Sequence, residues 1–529
     1  MPLASTRSVA LTGVRGVVIE IEVDIAAGLP GLSFTGLPDV AVSESRDRVR
    51  SAVVNSGFGW PAQRITVALL PADVRKSGSG LDLALALAVL AAAGEVPRAA
   101  VAQTAWFGEL GLDGRLRPVR GVLPAVLAAR AAGVTRVVVP VSNAAEAGVV
   151  GGVAVAGAAS LREIALALRG EGPALSAPSS RAVPSQAPLP DLVDVVGQPE
   201  ARRALEIAAA GAHHLLMEGA PGAGKTMLAS RLPGILPPLT EQEALEVTAI
   251  HSVAGALPAD VGLLRHPPLQ APHHTASMAA LVGGGSGVAR PGAATLAHRG
   301  VLVLDEAAEF APSVLDSLRQ PLESGRIVLH RSLGQVEYPA RFQLVLATNP
   351  CPCGAVRAVD CRCRPDTRRR YAQRLSGPLT DRIDLRIAMN PVSPASLLDE
   401  FEQRESSECV GRRVRGARAA SSARWAPLGW STNAEVPGSL LRERPWRPAR
   451  RALASLDFAL ECGRLSARGF DRVLKLSWTL ADLAGAATPT VDHVDEAVRL
   501  RTGLPGAGVD GRFDRSAGAA AIGGGELDG

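Results

Sequence analysis

A glycine-rich segment in the middle of the chain has the residue types and spacing of a phosphate-binding loop. Residues 219–226 read GAPGAGKT and fit the pattern G-x-x-x-x-G-K-[ST]. Glycines let the backbone turn so that its N–H groups converge on phosphate oxygens, and the helix that follows adds its positive end. Lys225 is predicted to reach the β- and γ-phosphates, and the Thr226 hydroxyl to bind Mg²⁺. The predicted nucleotide-binding residues are Gly219, Ala220, Pro221, Gly222, Ala223, Gly224, Lys225 and Thr226.

An apolar run at 301–304 that ends in two acids predicts the second half of this site. A buried parallel strand carries its polar residues at its carboxyl end, where ligands bind. Asp305 is predicted to hold Mg²⁺, through water, and Glu306 to polarise the attacking water. A third apolar run, 344–348, ends in Asn349, which could orient the lytic water or sense the γ-phosphate. The alternative for Asn349 is a plain cap of the strand end.

Four of the six cysteines lie within 13 residues, at Cys351, Cys353, Cys361 and Cys363. Six cysteines are too few for a disulfide scaffold in a chain of 529 residues. Four thiolates at one site suit a structural Zn²⁺, although the C-x-C spacing is tighter than the usual C-x₂₋₄-C. Zinc is therefore a candidate cofactor beside ATP and Mg²⁺.

Strand-like and helix-like patterns alternate along the chain, which predicts the α/β class. Residues 1–168 are predicted to form a first α/β domain, and the Pro-, Ser- and Ala-rich residues 169–190 a linker. Residues 191–395 form a second α/β block that carries the motifs above. An arginine- and tryptophan-rich segment and a small helical domain occupy 396–503. Residues 504–529 are expected to form a flexible tail.

The net charge is +5, and arginine supplies 53 of the 56 basic residues. A GC-rich coding bias accounts for this excess, but each of the three lysines (Lys76, Lys225 and Lys475) marks a position where arginine could be unsuitable. No apolar run is long enough to cross a bilayer, and the N-terminus lacks the pattern of a signal peptide. We therefore expect a cytoplasmic protein without a membrane partner.

Two basic stretches suggest contact with nucleic acid. Residues 351–390 and 401–450 each carry a local charge of +5, and Trp425, Trp430 and Trp446 lie in the second stretch. Basic and aromatic residues together suit a phosphate backbone and stacked bases. The alternative is a solvated, arginine-biased surface. A predicted β-hairpin around Leu333 and Gly334 places Arg331 near its tip, where it could touch phosphate or merely keep a sheet edge solvated.

Several strings together resemble the YifB/ComM family of magnesium-chelatase-like AAA+ ATPases, over nearly the whole chain. They are DLVDVVGQ at 191–198, APHHTAS at 271–277, ALVGGG at 280–285, LAHRG at 296–300, YPARF at 338–342, NPCPCG at 349–354 and LSGPLTDRID at 375–384. The resemblance implies a central AAA+ domain with a helix-2 insert and a pre-sensor hairpin that line a pore, and a small helical lid.

The same resemblance implies a ring, usually a hexamer, with ATP bound between subunits. Arg382 is then the expected arginine finger, which stabilises transition-state charge on the neighbour's ATP, and Arg374 is the rival candidate. Arg468 is the expected second sensor from the helical domain. Each of these arginines could instead be a solvated surface charge.

The first domain resembles the fold of Lon protease, a ribosomal S5 domain 2-like fold, through GELGLDGR at 108–115 and PVRGVLPA at 118–125. Lon-type catalysis needs a serine nucleophile and a lysine base. By motif register these positions fall at Gly78 and Leu123, so a peptidase is not expected unless Ser77 or Ser79 forms a shifted dyad with Lys76. We expect the domain to serve ring assembly, DNA contact or a protein partner.

The resemblance implies a motor that translocates on single-stranded or branched DNA and promotes branch migration in recombination or natural transformation. The alternative is a chaperone-like ATPase that remodels a protein partner, as in magnesium chelatase. Chelatase motor subunits lack the first domain seen here, which counts against this alternative. The ATPase half of the prediction comes from the residues themselves, whereas the DNA half rests on the resemblance together with the basic stretches and the hairpin.

Overall fold

The computed structural model describes residues 3–76, 78–177, 188–258, 262–285, 289–331, 334–355, 360–392 and 404–503. Two α/β units and a helical unit follow one another along the chain, which confirms the predicted fold class. None of the described helices is long and apolar enough to cross a membrane.

The first unit is a seven-stranded mixed sheet with helices on both faces. Its strands have the order β3-β4-β2-β1-β5-β8-β9. These strands are β1 (Leu3–Thr12), β2 (Arg15–Ala26), β3 (Gly31–Thr35), β4 (Arg64–Leu70), β5 (Ala105–Trp106), β8 (Arg136–Pro140) and β9 (Ala154–Ala158), and β6 (Glu109–Leu110) pairs with β7 (Leu116–Arg117) in a separate ribbon. The helices are α1 (Val40–Asn55), α2 (Asp82–Ala92), α3 (Arg98–Ala102), α4 (Val122–Ala131), α5 (Ala144–Ala147) and α6 (Leu161–Arg169).

Apolar patterning explains these elements. In β2 the alternating Ile19, Ile21, Val23 and Ile25 are buried against helices, because successive side chains of a strand point to opposite faces. All eleven residues of α2 are buried, which accounts for its unbroken apolar sequence. Helices α1, α2 and α6 share one core, and α4 and α5 share the other.

Neither predicted slot of a Lon-type dyad carries catalytic chemistry. Gly78 has a φ of 86°, and the side chain of Leu123, in α4, is buried in the core. The Lys76 ammonium contacts the Pro71 carbonyl oxygen, whereas the Ser79 hydroxyl contacts Glu109. Lys76 and Ser79 therefore have other partners, and Ser77 lies outside the described residues.

The second unit is a five-stranded parallel sheet in the order β11-β14-β17-β10-β18. Its strands are β10 (Leu215–Gly219), β11 (Leu269–Gln270), β14 (Val301–Leu304), β17 (Gln343–Thr348) and β18 (Leu385–Met389), and two hairpins are formed by β12 (Gly283–Gly284) with β13 (Arg290–Pro291) and by β15 (Arg326–Arg331) with β16 (Gly334–Pro339). The helices are α7 (Pro199–Gly211), α8 (Lys225–Ala229), α9 (Leu232–Ile235), α10 (Glu241–Ala254), α11 (Met278–Val282), α12 (Ala293–Leu296), α13 (Pro312–Asp316), α14 (Arg319–Ser324), α15 (Pro365–Arg374) and α16 (Gly377–Thr380).

Every residue of β14 and β17 is buried, as expected of central strands covered on both faces. Because β14, β17 and β10 are adjacent and parallel, their carboxyl ends meet at one edge of the sheet. The predicted hairpin is present as β15 and β16, but its tip residues 332–333 and the Arg331 side chain lie outside the description.

The C-terminal unit is helical and shares its core with the second sheet. Its helices are α17 (Ser407–Trp425), α18 (Gly438–Leu441), α19 (Ala454–Glu461), α20 (Ala467–Leu483) and α21 (Val491–Thr502). Helices α17 and α20 pack on α7, so one continuous cluster joins the two units. This arrangement agrees with the small helical lid that the resemblance implies, attached here to the second sheet.

The interpretation of the tryptophans as a surface for stacking bases is wrong for Trp425, whereas Trp446 is only partly buried. Trp425 is 0% exposed and donates its indole N–H to Asn433, 2.8 Å away. Its ring centroid lies 4.6 Å from that of Trp446 and 5.8 Å from that of Trp478. These large apolar rings are more favourable in the core of the helical unit than on its surface.

The first unit is docked on the second by direct contacts. The Gly121 N–H donates to the Ser252 carbonyl of α10 at 3.2 Å, and the Glu146 carboxylate accepts the Ser252 hydroxyl and the Leu123 N–H. The turn between β1 and β2 also reaches the hairpin, where the guanidinium of Arg15 lies 4.0 Å from the Glu337 carboxylate. The first unit thus contacts both α10 and β16.

Candidate nucleotide site

The phosphate loop joins the end of β10 to the start of α8. Gly222 and Gly224 have φ values of 78° and 86°, which side chains with a Cβ rarely adopt. Ala220 and Ala223 are buried beneath the loop and fix it on the sheet. The turn therefore has the shape that the glycine spacing predicts, with α8 beginning at Lys225.

Lys225 is held in place by neutral oxygens. Its ammonium donates to the carbonyls of Gly219 at 2.7 Å and Ala220 at 2.8 Å, and to the Asn349 side-chain oxygen at 3.0 Å. Burial lowers the pKa of Lys225 from its ordinary value. All three acceptors are uncharged, so the ammonium can contribute its positive charge to a phosphate.

Thr226 and Asp305 form the pair that suits Mg²⁺. The Thr226 hydroxyl donates to the Asp305 carboxylate at 2.5 Å, from the start of α8 to the end of β14. Hydroxyl and carboxylate oxygens are ligands that Mg²⁺ accepts alongside water and phosphate. The donor set fits the ion that the sequence predicts, and it lies directly beside the phosphate loop.

Glu306 is exposed next to this pair and has a positive φ of 51°. Its carboxylate lies 2.9 Å from the Nδ1 of His274. A positive φ is uncommon for a residue other than glycine and tends to occur where function constrains the chain. The carboxylate is thus oriented by the loop that carries the APHHTAS string.

Asn349, at the end of β17, turns its amide toward the phosphate loop rather than along its own strand. The contact between its side-chain oxygen and Lys225 joins two neighbouring strands at the edge where the phosphate loop lies. An amide in this position could report the presence of a γ-phosphate to the segment that follows Asn349.

The three arginines implied by the resemblance have different environments. The Arg382 side chain is 9% exposed; it donates to the Pro378 carbonyl at 2.5 Å and contacts the Glu323 carboxylate. The Arg374 side chain is 46% exposed and lies 2.9 Å from Glu309. Arg468 is exposed in the first turn of α20. Of these, only Arg382 must leave a buried contact to reach a neighbouring subunit.

Sequence reasoning missed two residues of the site. His274 lies in the APHHTAS string, and its ring lies 4.1 Å from that of His273, although adjacent side chains diverge on most backbones. Gln198, from the DLVDVVGQ string, donates to the Ala223 carbonyl at 3.3 Å and so contacts the phosphate loop. The signal available for His274 and Gln198 was that they lie in the strings APHHTAS and DLVDVVGQ, which support the family resemblance.

The four cysteines converge on one point. Their sulfur atoms all lie within 4.8 Å of one another, and Cys351 and Cys361 are 3.2 Å apart, well beyond the length of a disulfide. A tetrahedron of Zn–S bonds of about 2.3 Å has S···S edges of roughly 3.8 Å, which is close to this spacing. The Ala355 N–H lowers the pKa of the Cys353 thiol, whereas burial raises the pKa of the Cys351 thiol.

The cysteine cluster adjoins the phosphate loop. Gly354 has a φ of 70°, and a Cβ on it would lie 2.8 Å from the ring of Pro221. Cys351 follows Asn349 by only two residues. A metal held by the four thiols would therefore also fix the segment between β17 and the loop.

The carboxyl ends of the parallel strands β10, β14 and β17 bring the phosphate loop, the two acids and Asn349 side by side. This arrangement defines a P-loop ATPase of the AAA class. A family profile of magnesium chelatase subunit ChlI matches residues 191–397. A second profile of the ChlI subunit matches residues 21–143, and a profile of the C-terminal part of ChlI matches residues 404–501. The chain belongs to the YifB/ComM family of magnesium-chelatase-like ATPases, as three similarities over almost its full length show.

These three relatives are similar from end to end. An uncharacterised protein of Mycobacterium tuberculosis is 53% identical over 502 residues, which cover 95% of this chain and 99% of the relative. YifB of Escherichia coli is 41% identical over 501 residues, covering 95% and 97%. The competence protein ComM of Haemophilus influenzae is 40% identical over 509 residues, covering 95% and 98%.

A shorter similarity supports the Lon-like fold of the first unit. Lon protease 2 of Thermus thermophilus is 34% identical over 140 residues, which are 25% of this chain and 17% of that protease. The similarity concerns the fold, because the two catalytic slots hold Gly78 and Leu123 here.

Proposed function

We propose that the chain is an Mg²⁺-dependent, ATP-hydrolysing ring motor that moves on DNA and promotes branch migration. The observation that carries the proposal is the similarity, over nearly the whole of both chains, to a protein named for competence. The ATPase class is shared with the chelatase family, whereas action on single-stranded or branched DNA is the proposed part.

The chain's own residues have separate roles in hydrolysis. Lys225 binds the terminal phosphates, and Thr226 and Asp305 hold Mg²⁺, which neutralises phosphate charge when bound. Glu306 accepts a proton from the attacking water, and His274 orients the Glu306 carboxylate. Asn349 lies two residues before Cys351, so it connects ATP hydrolysis to the cysteine cluster.

We assign the inter-subunit roles to two arginines of a homo-hexamer. Arg382 reaches the neighbour's ATP after exchanging its contact with Glu323 for phosphate oxygens. Arg468 reaches ATP from the first turn of α20. Both assignments rest on the family resemblance and on the positions of the residues.

Exposed positive charge supports a contact with DNA phosphates. Helix α15 and the segment before it expose a run of arginines beside the cysteine cluster. They are Arg362, Arg364, Arg368, Arg369 and Arg370. The β15–β16 hairpin is a second candidate, since the resemblance places such hairpins in the pore. Neutralising several phosphates in this way gives binding that weakens steeply with salt.

A labelled four-way junction tests the proposed movement. Purified protein with ATP and Mg²⁺ is expected to convert the junction into two duplexes, and Glu306→Gln protein is expected to bind the junction without converting it. Triple substitution of Arg368, Arg369 and Arg370 by Gln should weaken junction binding and flatten its salt dependence. A junction left intact by the wild-type protein at saturating ATP would refute branch migration.

We propose that Cys351, Cys353, Cys361 and Cys363 bind a structural Zn²⁺. The spacing of the sulfurs and the ordinary chemistry of a Cys₄ site support this. The metal then stabilises the loop that lies against Pro221, so it acts on the ATPase site without taking part in hydrolysis.

Cys353→Ser protein is expected to lose bound zinc and much of its ATPase activity, because the segment after Asn349 is no longer held. Elemental analysis measures the zinc and a coupled assay measures the turnover. Cys462→Ser is the matched control, since Cys462 is exposed and lies outside the cluster. One zinc per chain in the Cys353 variant would contradict the assignment.

The second candidate is a chaperone-like ATPase that remodels a protein partner. The matches of all three units to chelatase subunit profiles favour it, and the match of residues 21–143 corrects the expectation that the first domain has no chelatase counterpart. A protein that binds the first unit should then stimulate ATP turnover where DNA does not. Pull-down on the full-length Glu306→Gln protein with ATP, followed by an ATPase assay with the captured protein, separates the two candidates.

A further inference from the structure

A polar cleft lies at the edge of the five-stranded sheet opposite the nucleotide site. Its volume is about 600 Å³, and the starts of the strands line it: His214 precedes β10, Gly300 precedes β14, and Gln343 begins β17. The helical unit forms its other wall. Clefts of this size commonly accommodate a small organic ligand.

Cations outnumber acids in this cleft. The five cationic side chains that line it are Arg299, Arg341, Arg418, Arg472 and Lys475. The three acidic ones are Glu243, Glu323 and Glu435. The site therefore favours an anion before any local pairing is considered.

The acids are engaged in ion pairs. Glu243 lies 3.2 Å from Arg299, Glu435 lies 3.6 Å from Arg341, and Glu323 contacts Arg382. Outside the cleft lining, Asp384 lies 2.9 Å from Arg472. These carboxylates offset the charge of arginines, and Glu435 also attracts Arg418 and Lys475, so that these two cations of the cleft are compensated only in part.

Arg418 and Lys475 are bound to carbonyl oxygens instead. Arg418 donates to the Ala209 carbonyl at 2.6 and 2.8 Å, and the Lys475 ammonium donates to the Ala434 carbonyl at 2.8 Å. Burial lowers the pKa of Lys475 to about 8. A carbonyl dipole compensates a buried cation only in part, so an incoming anion would stabilise both side chains.

Two buried polar atoms at the cleft lack a partner. Thr432 is 6% exposed and its hydroxyl has no hydrogen bond among the described residues; the same holds for the Nε of Arg299. A buried polar group without a partner costs free energy, and such groups are uncommon in folded proteins. Both atoms are closed to solvent in the cleft, so an acceptor oxygen of a ligand reaches them only after neighbouring side chains shift.

One indole and four prolines add apolar surface to the lining. Trp430 is partly buried, and four prolines line the same cleft: Pro237, Pro238, Pro267 and Pro321. The face of an indole can contact a planar ring stacked on it or a cation lying over it. A ligand with a ring and an anionic group would use both kinds of lining.

We propose that this cleft binds a small phosphorylated molecule with a planar ring, of the mononucleotide class, and that Lys475, Arg418 and Thr432 bind its phosphate. Lys475 is one of only three lysines in the chain. A compact ammonium on a long stem can move to a phosphate in a narrow site where the planar guanidinium fork does not fit. The site is independent of the phosphate loop and of the proposed action on DNA.

Calorimetric titration of the full-length Lys225→Ala protein with AMP tests the proposal. This background weakens binding at the phosphate loop, and AMP lacks the β- and γ-phosphates that the loop recognises. One site per chain is expected, and both Lys475→Met and Thr432→Val should weaken it about tenfold. Arg412→Met, on the exposed face of α17, is the matched control and should change nothing.

Thr432→Val separates binding from folding. Its hydroxyl makes no hydrogen bond, so the variant should keep the melting temperature of the parent while losing affinity. Inorganic phosphate is titrated in parallel; binding of phosphate but not of AMP would overturn the planar-ring part of the proposal. No binding of either, or AMP binding that neither substitution weakens, would overturn the site as a whole.

Discussion

Lys225→Ala is expected to lower ATP turnover at least about 100-fold, the loss typical when a group that stabilises transition-state charge is removed. The Lys225 ammonium is positioned by three neutral oxygens beside the phosphate loop. Steady-state phosphate release at saturating ATP measures the effect.

The control for the Lys225→Ala variant is a measurement of whether the protein still folds. Removal of the ammonium takes one partner from the Gly219 and Ala220 carbonyls and from the Asn349 amide oxygen, while the Ala220 carbonyl keeps the Ala223 N–H, at a cost of about 1–3 kcal/mol. The variant should therefore melt somewhat lower and remain folded. Turnover within about tenfold of the wild-type rate, well short of the expected loss, would refute the assignment of the phosphate loop.

Arg382→Ala should abolish turnover yet retain nucleotide binding, because an arginine finger contributes only when charge develops in the transition state. Fingers supplied by a neighbour contribute about 10³- to 10⁵-fold to the rate. Turnover and the binding of a fluorescent ATP analogue are measured on the same preparation. Arg374→Ala is the comparison, since Arg374 is exposed and pairs with Glu309 of its own chain.

Mixing experiments show whether Arg382 acts on another subunit. Arg382→Ala protein keeps its own Glu306, and Glu306→Gln protein keeps its own Arg382, so a mixed ring contains some complete sites. Activity regained on mixing supports a shared site. If Arg374→Ala complements and Arg382→Ala does not, the finger is Arg374, and if Arg382→Ala loses nucleotide binding, its role is to hold Glu323 and the fold.

The parts of the site that depend on local sequence could be predicted. The loop at 219–226, the acids after β14 and the asparagine after β17 each follow a strand that an apolar run announces, and parallel strands bring such ends together. The hairpin β15–β16 was also predictable from local sequence, because two strand-like runs with alternating side chains flank a short turn.

The parts that depend on tertiary packing could not be predicted. No local pattern tells that His274 reaches Glu306, because the two residues lie on different segments. Trp425 looked like a surface residue because arginines surround it in sequence, yet helical periodicity places it on the inner face of α17. The partners of Arg382 and Lys475 likewise come from other elements.

The central claim is that ATP hydrolysis is coupled to DNA. The most direct measurement is the steady-state ATPase rate of the wild-type protein without DNA, and with single strands, duplex and a four-way junction at equal nucleotide concentration. We predict strong stimulation that is largest with the junction. A rate that no DNA changes would contradict the account and direct attention to a protein partner.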